Sequence, residues 1–100
     1  MAIPKIWIYF LTENWYIVQY DKFVEKDLVH IKLTCIDKPM RDPLAHRDLN
    51  SIMEKIRHFT KQGLMITKIK IEEIKVPEDI AYNLKERIIL ITLENENRKN

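Results

Sequence analysis

Residues 5–20, Lys-Ile-Trp-Ile-Tyr-Phe-Leu-Thr-Glu-Asn-Trp-Tyr-Ile-Val-Gln-Tyr, hold almost no polar side chain outside one short trio, and this limits the ways the chain can fold. β-Branched and aromatic residues fill both halves, and Thr12-Glu13-Asn14 separates them, which is the pattern of two strands joined by a tight turn with Asn14 in the left-handed conformation. In that register Leu11 faces Trp15, Tyr9 faces Ile17 and Trp7 faces Gln19 on one side. Phe10, Ile8 and Ile6 face Tyr16, Val18 and Tyr20 on the other. Strand side chains alternate between faces, so a ribbon wet on one side should be polar at every second position. This one is apolar on both.

Seven of the nine aromatic residues lie between Trp7 and Phe23. Each aromatic side chain removes ~150–250 Å² from water when buried, so an uncovered face would be a large apolar patch. An aromatic platform for stacking bases would carry Lys and Arg around it to meet phosphate. The first 20 residues have only Lys5 and Glu13 as charged side chains. Core or subunit interface is the better reading. A chain of 100 residues has room for about two packed layers, so cover for the second face is expected from a second copy. The expected dimer contact is Trp7, Tyr9, Leu11, Trp15 and Ile17.

Downstream, 21–27 reads as a polar connection. Leu28 to Ile36 alternates cleanly, with Val29, Ile31, Leu33 and Cys35 on one side and His30, Lys32 and Thr34 on the other; this is a third strand, placed at a sheet edge because lysine discourages unwanted pairing there. Two prolines mark 37–43 as a loop. Asp42 and Pro43 suit a helix N-cap and first turn, and Ala45, Leu49, Ile52, Met53, Ile56 and Phe59 recur at helical spacing up to Gln62. Gly63 is the expected stop.

The next strand, 64–76, has a fault in its rhythm at Glu72-Glu73, where a bulge would restore one buried face. Pro77-Glu78-Asp79 opens a short helix with Ile80, Leu84 and Ala81 inward. Arg87 to Glu94, with Ile88-Ile89-Leu90-Ile91, reads as a central strand. The expected fold is therefore α+β, of order β-β-β-α-β-α-β, with a mostly antiparallel sheet, one long and one short helix, a single domain over 1–94 and a polar tail over 95–100.

Little in the sequence carries chemistry. One cysteine, Cys35, allows no intrachain disulfide and reads as a small buried hydrophobe. One glycine leaves no phosphate-cradling loop. His46-Arg47-Asp48 has the look of a kinase catalytic loop, but Met53 stands where its asparagine belongs. His46 and His58 are a third of a turn apart on a helix, and His30 and Cys35 leave opposite faces of their strand, so no metal or cofactor is expected. Asp37, Asp42, His46 and Asp48 are the densest polar group. Turn and cap duties account for most of them, and a small enzyme built on the 42–48 loop is the third reading of function.

No apolar run approaches the roughly 20 residues of a bilayer span, and no small-residue cleavage site follows the amino-terminal run. A cytoplasmic, non-secreted protein is expected. The net charge of +2 and pI near 8.7 permit nucleic acid without arguing for it. That second reading rests on Lys61, Lys68, Lys70 and Lys75. The leading one is a non-enzymatic, homodimeric interaction or assembly protein.

Two resemblances bear on this. The segment from Asp48 through Gly63-Leu64-Met65-Ile66-Thr67-Lys68-Ile69-Lys70-Ile71-Glu72-Glu73-Ile74-Lys75-Val76-Pro77-Glu78-Asp79-Ile80 resembles the end of the band 7 (stomatin/prohibitin, SPFH) domain in its run of helix, glycine, strand, proline exit and second helix. It departs in having Glu73 where an aspartate is usual, no membrane anchor, and an Ile-rich strand in place of the downstream coiled coil. The likeness implies an oligomerising scaffold. Sixteen isoleucines, one glycine and abundant Lys and Glu give a composition similar to that of small proteins from hyperthermophilic archaea and their viruses, and point to a heat-adapted host.

Overall fold

Pro4 starts a helix where the aromatic run predicts a strand. In the computed structural model, which describes residues 3–39, 42, 44, 46–75 and 85–95 (backbone only at 74 and 75), α1 spans Ile6–Thr12. Trp7 N–H donates to the Pro4 carbonyl at 3.2 Å and Ile8 N–H to that of Lys5 at 3.0 Å. Proline is pre-organised for such a first turn. The Thr12 hydroxyl bonds back to the Ile8 carbonyl at 2.8 Å. Asn14 takes φ 65°, as expected, but it ends a helix rather than turning a ribbon, and Trp15 N–H closes on the Thr12 carbonyl at 3.0 Å. Strand propensity is a weak prior that tertiary packing overrides. Here the spacing Ile8, Leu11, Thr12, Trp15 gives one helical side to bury, which the chain uses.

The strands are β1 (Tyr16–Glu25), β2 (Leu28–Ile36), β3 (Leu64–Lys75) and β4 (Lys85–Asn95). They form one antiparallel sheet in the order β1-β2-β4-β3. The hairpin of this fold is thus β1–β2, turning at Lys26-Asp27, and 21–25 is strand rather than a polar connection. β4 is central, as its two-sided apolar run predicts. β2 is internal and not an edge. Lys32 points out of the sheet plane and guards no edge.

Residues paired across strands share a face, so the register sorts the sheet into two sides. One side carries Ile17, Val29, Ile31, Leu33, Cys35, Ile66, Ile89, Ile91 and Leu93, all buried. Both helices lie there. α2 (Leu49–Thr60) inserts Ile52, Ile56 and Phe59, α1 inserts Ile8, and the whole is one core cluster. Lysine stems close the flank: Lys55 Nζ sits over the Tyr20 ring at 4.9 Å and Lys22 Nζ over Phe59 at 5.7 Å.

α2 starts six residues later than the Asp42–Pro43 signal suggests. Arg47 N–H is taken by the Ile17 carbonyl at 2.6 Å, which holds that part of the chain against β1 and out of helical form. Asp48 then caps, accepting from Asn50 N–H at 3.3 Å. Gly63, at φ 91°, follows the helix end as expected.

The fault in β3 is not a bulge at Glu72-Glu73. The register slips between Ile66 and Lys68, which brings Ile66, Ile69 and Ile71 to the helix side, and Glu73 with them. Glu73 sits there because Arg87 is directly opposite. Arg87 pairs with the Glu73 carboxylate, lies over the Trp15 ring at 4.4 Å, and donates to the Leu11 carbonyl at 2.9 Å. One guanidinium therefore ties the end of α1 to the sheet.

Each edge strand carries a bulge beside a carbonyl that a loop N–H occupies. In β1 the slip follows Ile17, whose carbonyl takes Arg47 N–H, and in β3 it follows Ile66, whose carbonyl takes Ile3 N–H at 2.8 Å. The short helix expected from Pro77, with Ile80, Ala81 and Leu84, lies outside the described residues, as does the tail past Asn95.

Candidate functional site

Two surfaces remain after the core is built. The first is the outside of α1. No residue of this helix is charged, and Ile6 is 57% exposed, Trp7 52%, Tyr9 43% and Phe10 62%. The five residues expected to form one contact face do not share one. Trp7 and Tyr9 point outward, Leu11 and Trp15 are partly buried against the core, and Ile17 is inside it at 4%. Successive residues turn by about 100° in a helix where a strand would alternate them. Ile6 and Phe10, assigned to the opposite side of the ribbon, join Trp7 and Tyr9 instead. Pro4 was the signal for this arrangement.

The second surface is the side of the sheet away from the helices. Across it the register sets Phe23, His30, Thr92 and Lys68 in one rank and Asp21, Lys32, Leu90 and Lys70 in the next. Phe23, His30, Lys32, Lys68 and Lys70 are exposed, and a shallow groove of about 430 Å³ runs among them over Leu90 and Thr92. The adjacent rank at one end brings Glu25 and Glu94, and at the other end Glu72 lies in the adjacent rank and Glu86 one rank beyond it. The His30 ring nitrogen Nδ1 meets the Thr92 hydroxyl at 3.3 Å, Asp21 accepts from the Gln19 amide at 2.9 Å, and Lys70 lies 3.4 Å from Glu72.

Of the four lysines that suggest a nucleic-acid surface, Lys68 and Lys70 are brought together here. Lys61 is the C-cap of α2, and the side chain of Lys75 lies outside the described set. Lys32, His30 and Phe23 belong with them. Their common parity across antiparallel neighbours is the signal, and it becomes visible only once β4 is known to lie between β2 and β3.

Of the acids of 37–48, Asp42 and Asp48 do turn and cap work, while Asp37 bonds across to β4. Asp37 Oδ1 accepts from Lys85 N–H at 3.1 Å, Asp42 from Leu44 N–H at 3.0 Å, and Asp48 caps α2; the His46 ring packs beside Tyr16 at 5.1 Å. Among the described residues, no three His, Cys, Asp or Glu side chains gather where they could hold a metal. No helix among them is long and apolar enough to cross a membrane.

The chain matches no protein-family model, no curated protein and no solved structure. Function must therefore be argued from these side chains alone.

Two buried groups complete the inventory. Cys35 is fully buried, and burial pushes its thiol up to about 11, with the Arg87 guanidinium pulling the other way. Such a thiol is a poor nucleophile, because the thiolate is the reactive form. The Tyr20 hydroxyl is buried with no hydrogen-bond partner among the described residues, and burial raises its pKa as well.

Proposed function

We propose that this protein is a non-enzymatic interaction or assembly protein that pairs with a second copy of itself through the outside of α1. The observation that carries this is the uncharged helix with Ile6, Trp7, Tyr9 and Phe10 each about half exposed. A helix apolar on every side is normally covered on every side, and contiguous apolar patches on soluble proteins mark contact sites.

A two-fold pairing sets the same patch against itself. With the helices antiparallel, Lys5 at one end of α1 approaches Glu13 of the second copy at the other, so the flanking charges are self-complementary. The band 7 resemblance of 48–80 points to the same class of function, since it implies an oligomerising scaffold.

Magnitudes set the kind of dimer. Four side chains at half exposure offer roughly 300–500 Å² per copy, which doubled lies below the ~1,200 Å² at which stable specific interfaces begin. A concentration-dependent dimer is expected, not an obligate one. Sedimentation velocity from about 1 to 200 µM tests it: the mass should climb from 12.1 kDa toward twice that. A chain that stays monomeric throughout that range refutes the proposal.

A further inference from the structure

Beyond self-association, we propose that the open side of the sheet binds single-stranded nucleic acid, laid across the strands over the belt of His30, Lys32, Lys68 and Lys70, with Phe23 at one margin stacking a base. The placement of the charges supports this. Three lysines from two different strands meet in the two middle ranks of this side, joined there by the one acid Asp21, while Glu25, Glu94, Glu72 and Glu86 hold the ranks at either end. Positive charge is thus gathered in a stripe running from β2 across β4 to β3, perpendicular to the strands, with Phe23 and Asp21 of β1 at its margin.

From Phe23 on β1 to Lys68 on β3, four strands at ~4.8 Å spacing span about 14 Å, and four-stranded sheet platforms take two or three bases. The groove of about 430 Å³ beneath it is floored by Leu90 and Thr92. Phe23, 60% exposed, offers its ring at the end of the stripe, and stacking on such a ring tolerates any base. Lys70 is paired with Glu72, but both side chains are about half exposed, and an ion pair so wet exchanges readily for phosphate. A duplex is a poor occupant. Its major groove is read by a projecting helix or two-stranded ribbon, and both described helices lie on the other side of the sheet.

The test is fluorescence anisotropy of the full chain with a labelled ten-nucleotide oligo(dT) and with a duplex of equal length. Micromolar binding of the single strand is expected at 50 mM salt, weaker for the duplex. With about three phosphates neutralised, affinity should fall roughly 20-fold between 50 and 200 mM salt. The double variant Lys32→Gln/Lys68→Gln should lose at least about 10-fold with an unchanged circular dichroism melt. Phe23→Ala should cost about 5-fold or more, while Phe10→Glu, on the far side of the molecule, should bind as the wild type does.

Three results would overturn the proposal: no binding of the single strand at 50 mM salt, tighter binding of the duplex, or lysine variants that bind unchanged. Loss of self-association in Phe10→Glu with the oligonucleotide affinity kept separates this surface from the α1 contact.

Discussion

Arg87 joins the end of α1 to two strands of the sheet. Its side chain, only 20% exposed, meets a carboxylate, a helix-terminal carbonyl and an indole face at once. Charge-assisted hydrogen bonds of this kind are each worth more than neutral ones. Arg87→Ala should therefore destabilise by about 2 kcal/mol or more, read as a lower midpoint in urea. Arg87→Lys should recover little of it, because an ammonium cannot spread over Trp15 while reaching both Glu73 and Leu11. Across the ladder, Cys35 makes a prediction about pH. Its folded pKa is raised by burial to about 11 from 9.0, so the thiol stays neutral in the folded chain after it has ionised in the unfolded one. The stability this represents is fully present below pH 9 and is lost as pH rises from about 9 to about 11. The gap in unfolding free energy between wild type and Cys35→Ala should narrow across that window. Thiol reagents should label Cys35 only when denaturant is added.

At the scale of elements, the sequence showed what ends a segment more clearly than what the segment is. Asn14 and Gly63 were both legible as left-handed positions, and both are, at φ 65° and 91°. What Asn14 terminates is not legible, because six apolar residues in a row, Ile6 to Leu11, satisfy either periodicity and the run is rich in strand formers. Only Pro4, three residues before Trp7, argued for a helix. β2 matched its alternation over Leu28–Ile36, since a strand wet on one side leaves a signature that one buried on both does not. The stripe of α2 was equally clear, yet its start was not, because the sheet-edge bond that holds Arg47 joins residues 30 positions apart and leaves no local trace. Glu73 looked like a break in rhythm because its partner is likewise distant in sequence. The left-handed turns make a paired prediction. Nothing lies within 4 Å of a Cβ built at Gly63, so Gly63→Ala should cost only the backbone strain of about 1 kcal/mol, and Asn14→Ala a similar amount or less. Thermal melts of the two variants check this.

For the whole molecule, the two surfaces lie on opposite layers, and their behaviour should be separable. Phe10→Glu places a charge in the middle of the α1 patch and should hold the chain monomeric at concentrations where the wild type pairs, shifting the dimer constant by at least 10-fold. Lys32→Gln/Lys68→Gln should leave that constant alone. Sedimentation of the three proteins side by side decides both points. The site was the least legible part of the chain, for a physical reason: its residues are ordinary surface types whose meaning comes from the order β1-β2-β4-β3, and strand order is a property of the assembled sheet.

The plugged carbonyls at Ile17 and Ile66 say where growth can stop. A neighbour trying to extend the sheet meets, at these two points, a kinked backbone whose acceptor is already satisfied, which disfavours pairing along that part of each rim. In the proposed pairing, self-recognition falls to the helical layer, where a two-fold contact would cover Ile6, Trp7, Tyr9 and Phe10 of each copy. Such a pair would be closed, since a two-fold contact sets the same patch against itself.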